Sequence, residues 1–342
     1  MSDCLFVKLR PTAPWRLGPS NGARDRTDSI CHSDTLYSAL CHAMSRFDWL
    51  QAWLGATAEA ENGCQVRLTS MFPWQGDLTY VPGPRNIWPP ATARLRAGGA
   101  DFVPSTLIAS LLRGEGLEED KWEVDGLSRC LIKAGRRGAY AGPFRHALRS
   151  SAAVDRLDAG AIGVHQTACI EFSQNAGLWC LAEFSTGEAG EQWSARLQSC
   201  FRLLADSGIG GERSRGWGHF EIEEMRAARL PDLLLGPPAA PTEEPPVEQA
   251  YWMLSLFSPA SSDRIQWDKG TYSLIDRGGR LESAAGWGAR KKRLRMVREG
   301  SVLLAEERPS GTAHNVAPDG FPHPVFRAGF AVAVAVPWSH QP

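Results

Sequence analysis

The sequence lacks the features that would place it in a membrane or in a disulfide framework. Even the apolar run from residue 330 to 336 is far shorter than the roughly 20 residues of a membrane-spanning helix. The first ten residues show none of the basic, apolar and small-residue regions of a signal peptide. Eight cysteines occur, but none forms a Cys-x-x-Cys pair. We therefore expect a soluble, cytoplasmic protein with reduced thiols and with no membrane, metal or cofactor partner.

An excess of charge of one sign is also missing, because 37 Lys and Arg stand against 38 Asp and Glu. The distribution is nonetheless uneven. Positive charge is concentrated in residues 129–156 and 290–298, whereas acids gather in residues 115–125 and 221–224. Basic segments on a neutral protein can bind a nucleic acid and leave other faces free for protein partners. The 342 residues, 43% of them apolar, are enough for two domains with sizeable cores.

A glycine-rich stretch from Gly208 to Phe220 is the most informative part of the sequence, since five of its 13 residues are glycine. Glycine permits positive φ and the close approach of another backbone. Two arginines and a serine of the stretch can donate hydrogen bonds to phosphate oxygens. A helical pattern at 193–204 precedes it and a strand pattern at 219–225 follows it, so it predicts a helix-to-strand loop that an anionic chain can approach. Its candidate ligands are Gly208, Gly210, Gly211, Arg213, Ser214, Arg215 and Gly216.

The remaining sequence predicts an α+β fold. In the first 230 residues the order strand, helix, strand, insertion, strand, strand, helix, strand resembles a ferredoxin-like (RRM-like) β-α-β-β-α-β unit. Ser33 is expected to cap the first helix, with Asp34 in its first turn. A proline-rich linker is expected at 231–248, followed by a second, helix-poor domain. The predicted strands of the first domain lie at 4–9, 66–71, 165–172 and 177–184, the last two as a hairpin or adjacent pair. An irregular segment is predicted at 72–90, helices at 33–54 and 104–112, and later strands at 251–257, 301–305 and 328–336.

A basic insertion at about 113–150 contains aromatic residues among its arginines. Rings between cations suit stacked bases beside phosphates, although a solvated, mobile insertion is an equal alternative. The last basic run can face RNA, an acidic partner surface or solvent. The further candidate RNA ligands are Arg16, His32, Ser33, Arg94, Arg96, Arg136, Arg137, Tyr140, Phe144, Arg145, Arg149, Arg156, Lys291, Lys292 and Arg293.

The glycine loop, with its flanking helix and strand, resembles the signature loop of the RAMP superfamily of CRISPR proteins. Residues 33–40, with the sequence SDTLYSAL, look like the first-helix motif of the Csm-type subunit that caps the 5′ end of the guide in type III-A effectors. Residues 153–156, 71–84 and 325–330 are similar to further segments of that subunit.

The resemblance implies tandem ferredoxin-like domains, at 1–230 and 249–342, with a β-hairpin thumb inserted at about 113–150. It also implies a non-catalytic subunit of an antiviral ribonucleoprotein complex. Such a subunit holds the repeat-derived 5′ handle of the crRNA. It docks the large polymerase/cyclase-like subunit to a backbone RAMP subunit and meets target RNA only indirectly. His32 and Ser33 would lie beside the handle, near the glycine loop.

Three other functions stay open on the sequence. A metal-independent, guide-processing endoribonuclease needs a group that activates a ribose 2′-hydroxyl, and the candidates are His32, His42, His165 and His219. A backbone RAMP subunit would offer an acid in a basic loop, and none stands out. A protein scaffold would show no salt-sensitive RNA binding. The glycine loop supplies no catalytic group, and this favours a protein that binds the guide without cleaving it.

Overall fold

A computed structural model describes residues 3–18, 23–61, 63–89, 99–113, 115–136, 138, 141–154, 162–235, 249–283 and 286–338. The fold is α+β, and its paired strands are antiparallel. The helices are α1 (Ser33–Arg46), α2 (Leu50–Ala56), α3 (Ser105–Leu112), α4 (Gly187–Ser207) and α5 (Leu230–Leu235). None of the described helices is long and apolar enough to cross a bilayer.

The strands fall into three groups along the chain. The first group is β1 (Cys4–Pro11), β2 (Val66–Leu68), β3 (Phe72–Gln75), β4 (Leu78–Val81), β5 (Val103–Pro104), β6 (Trp122–Val124) and β7 (Leu131–Lys133). The second is β8 (Phe144–Val154), β9 (Ile162–Phe172), β10 (Ala176–Phe184) and β11 (Phe220–Ala228). The third is β12 (Gln249–Met253), β13 (Ile265–Thr271), β14 (Leu274–Arg277), β15 (Arg280–Ser283), β16 (Gly286–Arg290), β17 (Leu294–Val297), β18 (Val302–Ala305), β19 (Gly311–Asn315), β20 (Phe326–Phe330) and β21 (Ala333–Val336).

The main sheet has the order β11-β1-β10-β3-β4-β5, and β2 also pairs with β10. Strand β10 is buried along its whole length, which explains its nearly continuous apolar sequence. The strands predicted at 4–9, 177–184 and 219–225 are confirmed with slightly longer bounds. The predicted pairing of 165–172 with 177–184 is wrong. Strand β9 pairs with β8 in a long separate hairpin, whereas β10 pairs with β1 and β3.

The start of α1 differs from the sequence prediction. His32 occupies the N-cap position, and no side chain caps the helix. The Ser33 hydroxyl instead accepts the backbone N–H of Leu256 at 3.0 Å, and the Ser33 N–H donates to Ser70 Oγ at 2.8 Å. The predicted single helix at 33–54 is also divided, because the chain turns at Asp48, which has a φ of 57°. Ser33 therefore joins α1 to the C-terminal part of the chain.

The C-terminal strands form a second sheet with the order β13-β18-β12-β21. No helix occurs among the described residues from 249 to 338. The single strand predicted at 328–336 is two strands, since β20 pairs with β19 and β21 pairs with β12. Two other predictions are also corrected. The segment 72–90 contains the β3–β4 hairpin, and α5 occupies the start of the expected linker, whose residues 236–248 lie outside the described part.

One apolar cluster extends through both sheets. It includes Leu36 and Tyr37 of α1 together with Trp252, Leu254 and Phe330 of the C-terminal region. The rings of Tyr37 and Phe330 meet edge to face at a centroid distance of 6.2 Å. The apolar face of α1 is thus covered by the main sheet and by the C-terminal strands together.

A buried ion cluster reinforces this contact. Asp34, whose side chain is 1% exposed, accepts Arg277 Nε at 3.0 Å and Arg277 Nη2 at 2.9 Å. It also accepts a hydrogen bond from Arg327 Nη1, while Arg277 Nη1 lies 3.2 Å from Asp28 Oδ2. Burial raises the pKa of Asp34, but the two guanidinium groups outweigh it and hold that pKa well below its usual range. A buried carboxylate is tolerated only with such partners, so the cluster fixes α1 to the C-terminal part.

We predict that Asp34→Asn lowers the free energy of unfolding by about 3–5 kcal/mol, because it leaves the buried Arg327 without its counter-charge and removes one of the two carboxylate partners of Arg277. Thermal unfolding at pH 7, followed by calorimetry, measures the change. Asp319→Asn is the control, since that exposed carboxylate pairs with Lys292 at the surface. The role of the cluster is contradicted if the two variants unfold alike. Because the folded-state pKa of Asp34 is depressed, its contribution in the wild type is present at neutral pH and is lost as the pH falls below about 4.

Candidate nucleic-acid interface

The glycine loop connects α4 to β11, as the sequence predicts. Gly208 follows the last residue of α4 with a φ of 79°, and a single 3-10 turn spans Arg213–Arg215. Gly216 ends that turn in the left-handed region, with a φ of 77°. These positive φ angles explain why glycine occupies both positions.

The loop packs closely against the segment that follows β1. A Cβ at Gly210 would lie 2.4 Å from the Arg16 carbonyl oxygen, and the Gly211 N–H donates to that same oxygen at 2.8 Å. A Cβ at Gly208 would lie 2.7 Å from the Trp217 carbonyl oxygen. A backbone does therefore approach these glycines, but at Gly208 and Gly210 it is the backbone of this chain and not that of a ligand. The loop is held in one shape by its own neighbours.

A groove of about 790 Å³ opens between the glycine loop, α1 and the C-terminal strands. Among the described residues that line it, nine are Arg or Lys and three are acids, although the whole chain has a net charge of −1. The cations are Arg16, Arg24, Arg213, Arg277, Arg280, Arg290, Lys291, Arg293 and Arg327, and the acids are Asp34, Glu212 and Glu282. Low-dielectric walls of one charge sign concentrate the field in such a groove, so it suits a polyanion.

The fold brings about one third of the predicted ligands into this groove. They are Arg16, Gly208, Gly210, Gly211, Arg213, Lys291 and Arg293. Ser214, Arg215 and Gly216 lie exposed on the outer side of the loop, where Arg215 Nη1 is 3.3 Å from Ser151 Oγ on β8. Lys292 points elsewhere and pairs with Asp319 at 2.7 Å.

Sequence reasoning missed several groove residues. Arg24 and Arg290 belong to basic stretches that the sequence displays, so they could have been found. No sequence motif contains Arg277, Arg280 or Arg327. Arg277 forms its ion pair with Asp34, which lies 243 residues earlier in the sequence. On α1, the small or polar residues Thr35, Ser38, Ala39 and His42 recur one turn apart on the side that lines the groove.

Three predicted ligands have structural roles instead. Phe144 is 1% exposed and packs against Phe172, so its ring cannot stack on a base. His32 is 2% exposed, and its Nδ1 lies 2.8 Å from Glu299 Oε1. The Ser33 hydroxyl already accepts a hydrogen bond from the backbone N–H of Leu256. These corrections have one cause, which is that the C-terminal strands and the β8–β9 hairpin cover these side chains.

The other predicted arginines fall into two sets. Arg145 and Arg149 of β8 both donate to Glu171 on β9, and Arg136 Nη1 bonds Gln75 Oε1 at 2.8 Å. They lie outside the residues that line the groove. The positions outside the described part of the chain are Arg94, Arg96, Arg137, Tyr140 and Arg156.

An ion pair spans the rim of the groove. Arg213 of the glycine loop donates to Glu282 of β15, which forms a short hairpin with β16. His42 lies nearby. Partial burial and the cations Arg213 and Lys291 lower the pKa of His42, while Glu282 raises it, and the shift is downward overall. His42 is therefore expected to be neutral at pH 7, so the positive charge of the groove comes from its arginines and lysine.

The known proteins that resemble this chain in sequence are named Csm4. The family model for the CRISPR Csm4 C-terminal domain matches residues 247–336. A Csm4 protein of Mycobacterium tuberculosis (strain CDC 1551 / Oshkosh) is 29% identical over 90% of this chain and 91% of the relative. A Csm4 protein of Thermococcus onnurineus (strain NA1) is 24% identical over 95% of this chain and 97% of the relative.

Solved structures share the fold. In a Csm3–Csm4 subcomplex of a type III-A CRISPR-Cas interference complex, the similar chain gives a TM-score of 0.63 at 14% identity, covering 99% of this chain and all of that chain. In a Csm1–Csm4 cassette in complex with cA4, the TM-score is 0.57 at 17% identity, with 99% of both chains covered.

The antiparallel α+β fold, with a glycine loop between a helix and a sheet strand, is similar to the fold of the Csm4-containing structures. This confirms the resemblance drawn from the sequence. The chain is thus similar to Csm4 proteins over most of its length, and its residues 247–336 match their C-terminal domain.

We predict that Gly210→Ala destabilises the protein more than Gly216→Ala. Both glycines have positive φ, which costs a non-glycine residue about 1–2 kcal/mol. Only at Gly210 would the new Cβ also strike a backbone carbonyl, because nothing lies within 4 Å of a Cβ at Gly216. The clash is expected to add about 1–3 kcal/mol. Equal melting temperatures for the two variants would show that the Arg16 segment yields freely.

Proposed function

We propose that this chain is the non-catalytic crRNA-binding subunit of a type III CRISPR effector complex, and that the groove holds the repeat-derived 5′ handle. The observation that carries the proposal is the concentration of nine cationic side chains against three acids in one groove of a protein with a net charge of −1. Phosphate contacts from Lys and Arg supply most of the affinity in such interfaces.

The two basic walls of the groove come from different parts of the chain. On one side the rigid glycine loop presents Arg213 beside Arg16, and on the other the β16 end presents Arg290 and Arg293. Between them lie α1, which contains the buried Asp34, and the turn at Gly278 and Gly279, which follows the buried Arg277, and we call these two elements the floor of the groove. The small residues of this floor leave space for bases. An RNA strand would thus have its phosphates between two basic walls and its bases toward a polar helix face.

The partners we propose are a large Csm1-like subunit and a backbone Csm3-like subunit, with target RNA met indirectly. The Csm4 chains of the solved structures are paired with Csm1 in one case and with Csm3 in another. Because the groove is strongly basic and the chain as a whole is slightly acidic, the remaining surface is acidic on balance. Surfaces of opposite charge allow RNA and protein partners to bind to different faces.

We also propose a ferredoxin-like arrangement with a thumb whose limits differ from 113–150. In the main sheet, β11, β1, β10 and β2 or β3 are the fourth, first, third and second strands of a β-α-β-β-α-β order, which supports a ferredoxin-like unit. The C-terminal part would be a reduced copy that retains its sheet. The thumb would be the long β8–β9 hairpin, whose exposed Leu148 and Val164 lie on one face.

No specific observation favours a guide-processing nuclease. Of its candidate histidines, His32 is buried against Glu299, and only His42 lines the groove. Incubation of the purified full chain with repeat RNA in the absence of metal is the direct check. Site-specific cleavage that disappears in His42→Ala would replace the binding role with a catalytic one.

The binding role predicts a salt-dependent affinity for RNA that carries the 5′ handle of the same CRISPR locus. Replacing both Arg290 and Arg293 with Gln should lower the slope of log Kd against log salt by about 1.4, because each lost contact to single-stranded RNA removes roughly 0.7. The control replaces Arg113 and Lys121, which are exposed and do not line the groove. Fluorescence anisotropy across a salt series gives the slopes, and equal losses in both double variants would remove the groove from the interface.

The rim ion pair yields a second prediction. Glu282→Gln should tighten handle binding by about threefold, because Arg213 no longer has to leave a carboxylate to reach a phosphate. A double-mutant cycle with Arg213→Gln separates this effect from simple removal of a negative charge. If Glu282→Gln tightens binding equally in the Arg213→Gln background, the ion pair does not compete with RNA.

A further inference from the structure

Lys291 occupies an unusual place in the groove. It directly follows β16, and its backbone N–H donates to the Gly279 carbonyl oxygen at 2.9 Å. This bond anchors the residue beside the glycine turn that forms the groove floor, and the half-buried side chain lines the cavity. The position is therefore fixed by the backbone and not by a salt bridge.

The Lys291 ammonium group makes no hydrogen bond or ion pair with the part of the chain that the structure describes. The acids around it have other partners. Asp34 is held by Arg277 and Arg327, and Glu282 is held by Arg213. Lys291 is thus a partly buried cation near carboxylates that are paired with arginines.

Such a group is unfavourable without an anion. Burial and the charge of Arg327 lower the pKa of Lys291, while Asp34, Cys41 and Glu282 oppose this only in part. A lysine that is desolvated beside other cations gains strongly from a bound anion, and binding returns its pKa toward the ordinary value of about 10.4.

We propose that Lys291 forms a subsite for a single phosphate group at the floor of the groove, distinct from the arginine contacts at the rim. This inference rests on the proposed RNA-binding function. The phosphate can be a phosphodiester within the handle or a terminal 5′-phosphate, since both offer the same oxygens to an ammonium group.

The adjacent Lys292 provides a matched control. It has the same charge and the next position in the sequence, but it is exposed, lies outside the groove lining and pairs with Asp319 at 2.7 Å. A general electrostatic effect of the basic run would make the two lysines equivalent. A dedicated subsite makes them different.

The experiment uses the full chain and its variants Lys291→Gln, Lys291→Arg and Lys292→Gln, with handle RNA that bears either a 5′-hydroxyl or a 5′-phosphate. Lys291→Gln should weaken binding about tenfold and Lys292→Gln less than about twofold. Lys291→Arg should retain most of the affinity at pH 7, because a guanidinium also binds phosphate. A loss by Lys291→Gln with both RNAs assigns the phosphate to the handle interior, and a loss only with the phosphorylated RNA assigns it to the terminus; either result supports the subsite.

The pH dependence gives a readout that a merely structural role would not produce. Because the pKa of Lys291 is lowered, its ammonium group in the free protein loses its proton at a lower pH than an ordinary lysine, whose pKa is about 10.4, and the arginine of Lys291→Arg stays charged throughout. As the pH rises, the affinity of the wild type should therefore fall relative to Lys291→Arg. A constant ratio of the two affinities contradicts the subsite. The charged groups that face Lys291 are the same in both proteins, so they cancel in this ratio.

The experiment distinguishes failure of the Lys291 subsite from failure of the proposed RNA-binding function. If Lys291→Gln and Lys292→Gln lose equally while binding still depends on Arg290 and Arg293, the subsite is wrong and the RNA-binding function stands. If the wild type does not bind handle RNA, the proposed function is wrong, and acylation of lysines in the presence of inorganic phosphate then tests the subsite by itself. Protection of Lys291 but not of Lys292, measured by mass spectrometry, supports it, and equal labelling overturns it.

Discussion

The buried contact between Asp34 and two arginines is the constraint on which the groove depends. Asp34 lies in the first turn of α1, while Arg277 and Arg327 come from separate strands near the C-terminus. A buried carboxylate needs such partners, and without Asp34 the buried Arg327 would be an uncompensated charge, whereas Arg277 would keep Asp28. Because Gly278 and Gly279 directly follow Arg277, fixing Arg277 also fixes the turn that forms the groove floor. The cluster therefore positions the groove, and its three members also line it.

The glycine loop is also held by a distant part of the chain, but through backbone contacts instead of charges. A glycine-rich sequence suggests a flexible loop. Here, however, Gly210 packs closely against the Arg16 carbonyl oxygen, and the Gly211 N–H donates a hydrogen bond to that oxygen. A loop with so little free space loses little conformational entropy when a ligand arrives, so its donors are preorganised. Arg213 projects from this rigid base, and its position at the rim follows from the turn that holds it. The arrangement explains why glycine is required where the loop meets the Arg16 segment, while Arg213 projects into the groove.

Local pattern was enough to predict α4, β1, β10 and β11, because each has a strong helical or alternating period. It could not predict which strands pair, and the hairpin of β8 with β9 was misassigned because pairing depends on the tertiary fold. The misread side chains have the same origin. His32 and Phe144 stand beside polar or basic residues in sequence, but Glu299 and Phe172 enclose them in space. Arg277 and Arg280 illustrate the converse, since isolated arginines become groove residues only when the chain folds.

The division of the basic run 290–293 shows how the fold converts charge in sequence into charge at a site. Four consecutive cations give no indication of which of them face a ligand. The Gly279 bond to Lys291 turns that residue toward the groove, and Lys292 then projects toward Asp319. A side chain that finds a carboxylate at the surface has its charge largely neutralised by solvent and partner, whereas one that is half-buried without a partner retains its full attraction for an anion. The binding capacity of a basic segment is therefore set by which of its cations the fold leaves unpaired, and not by how many cations it contains.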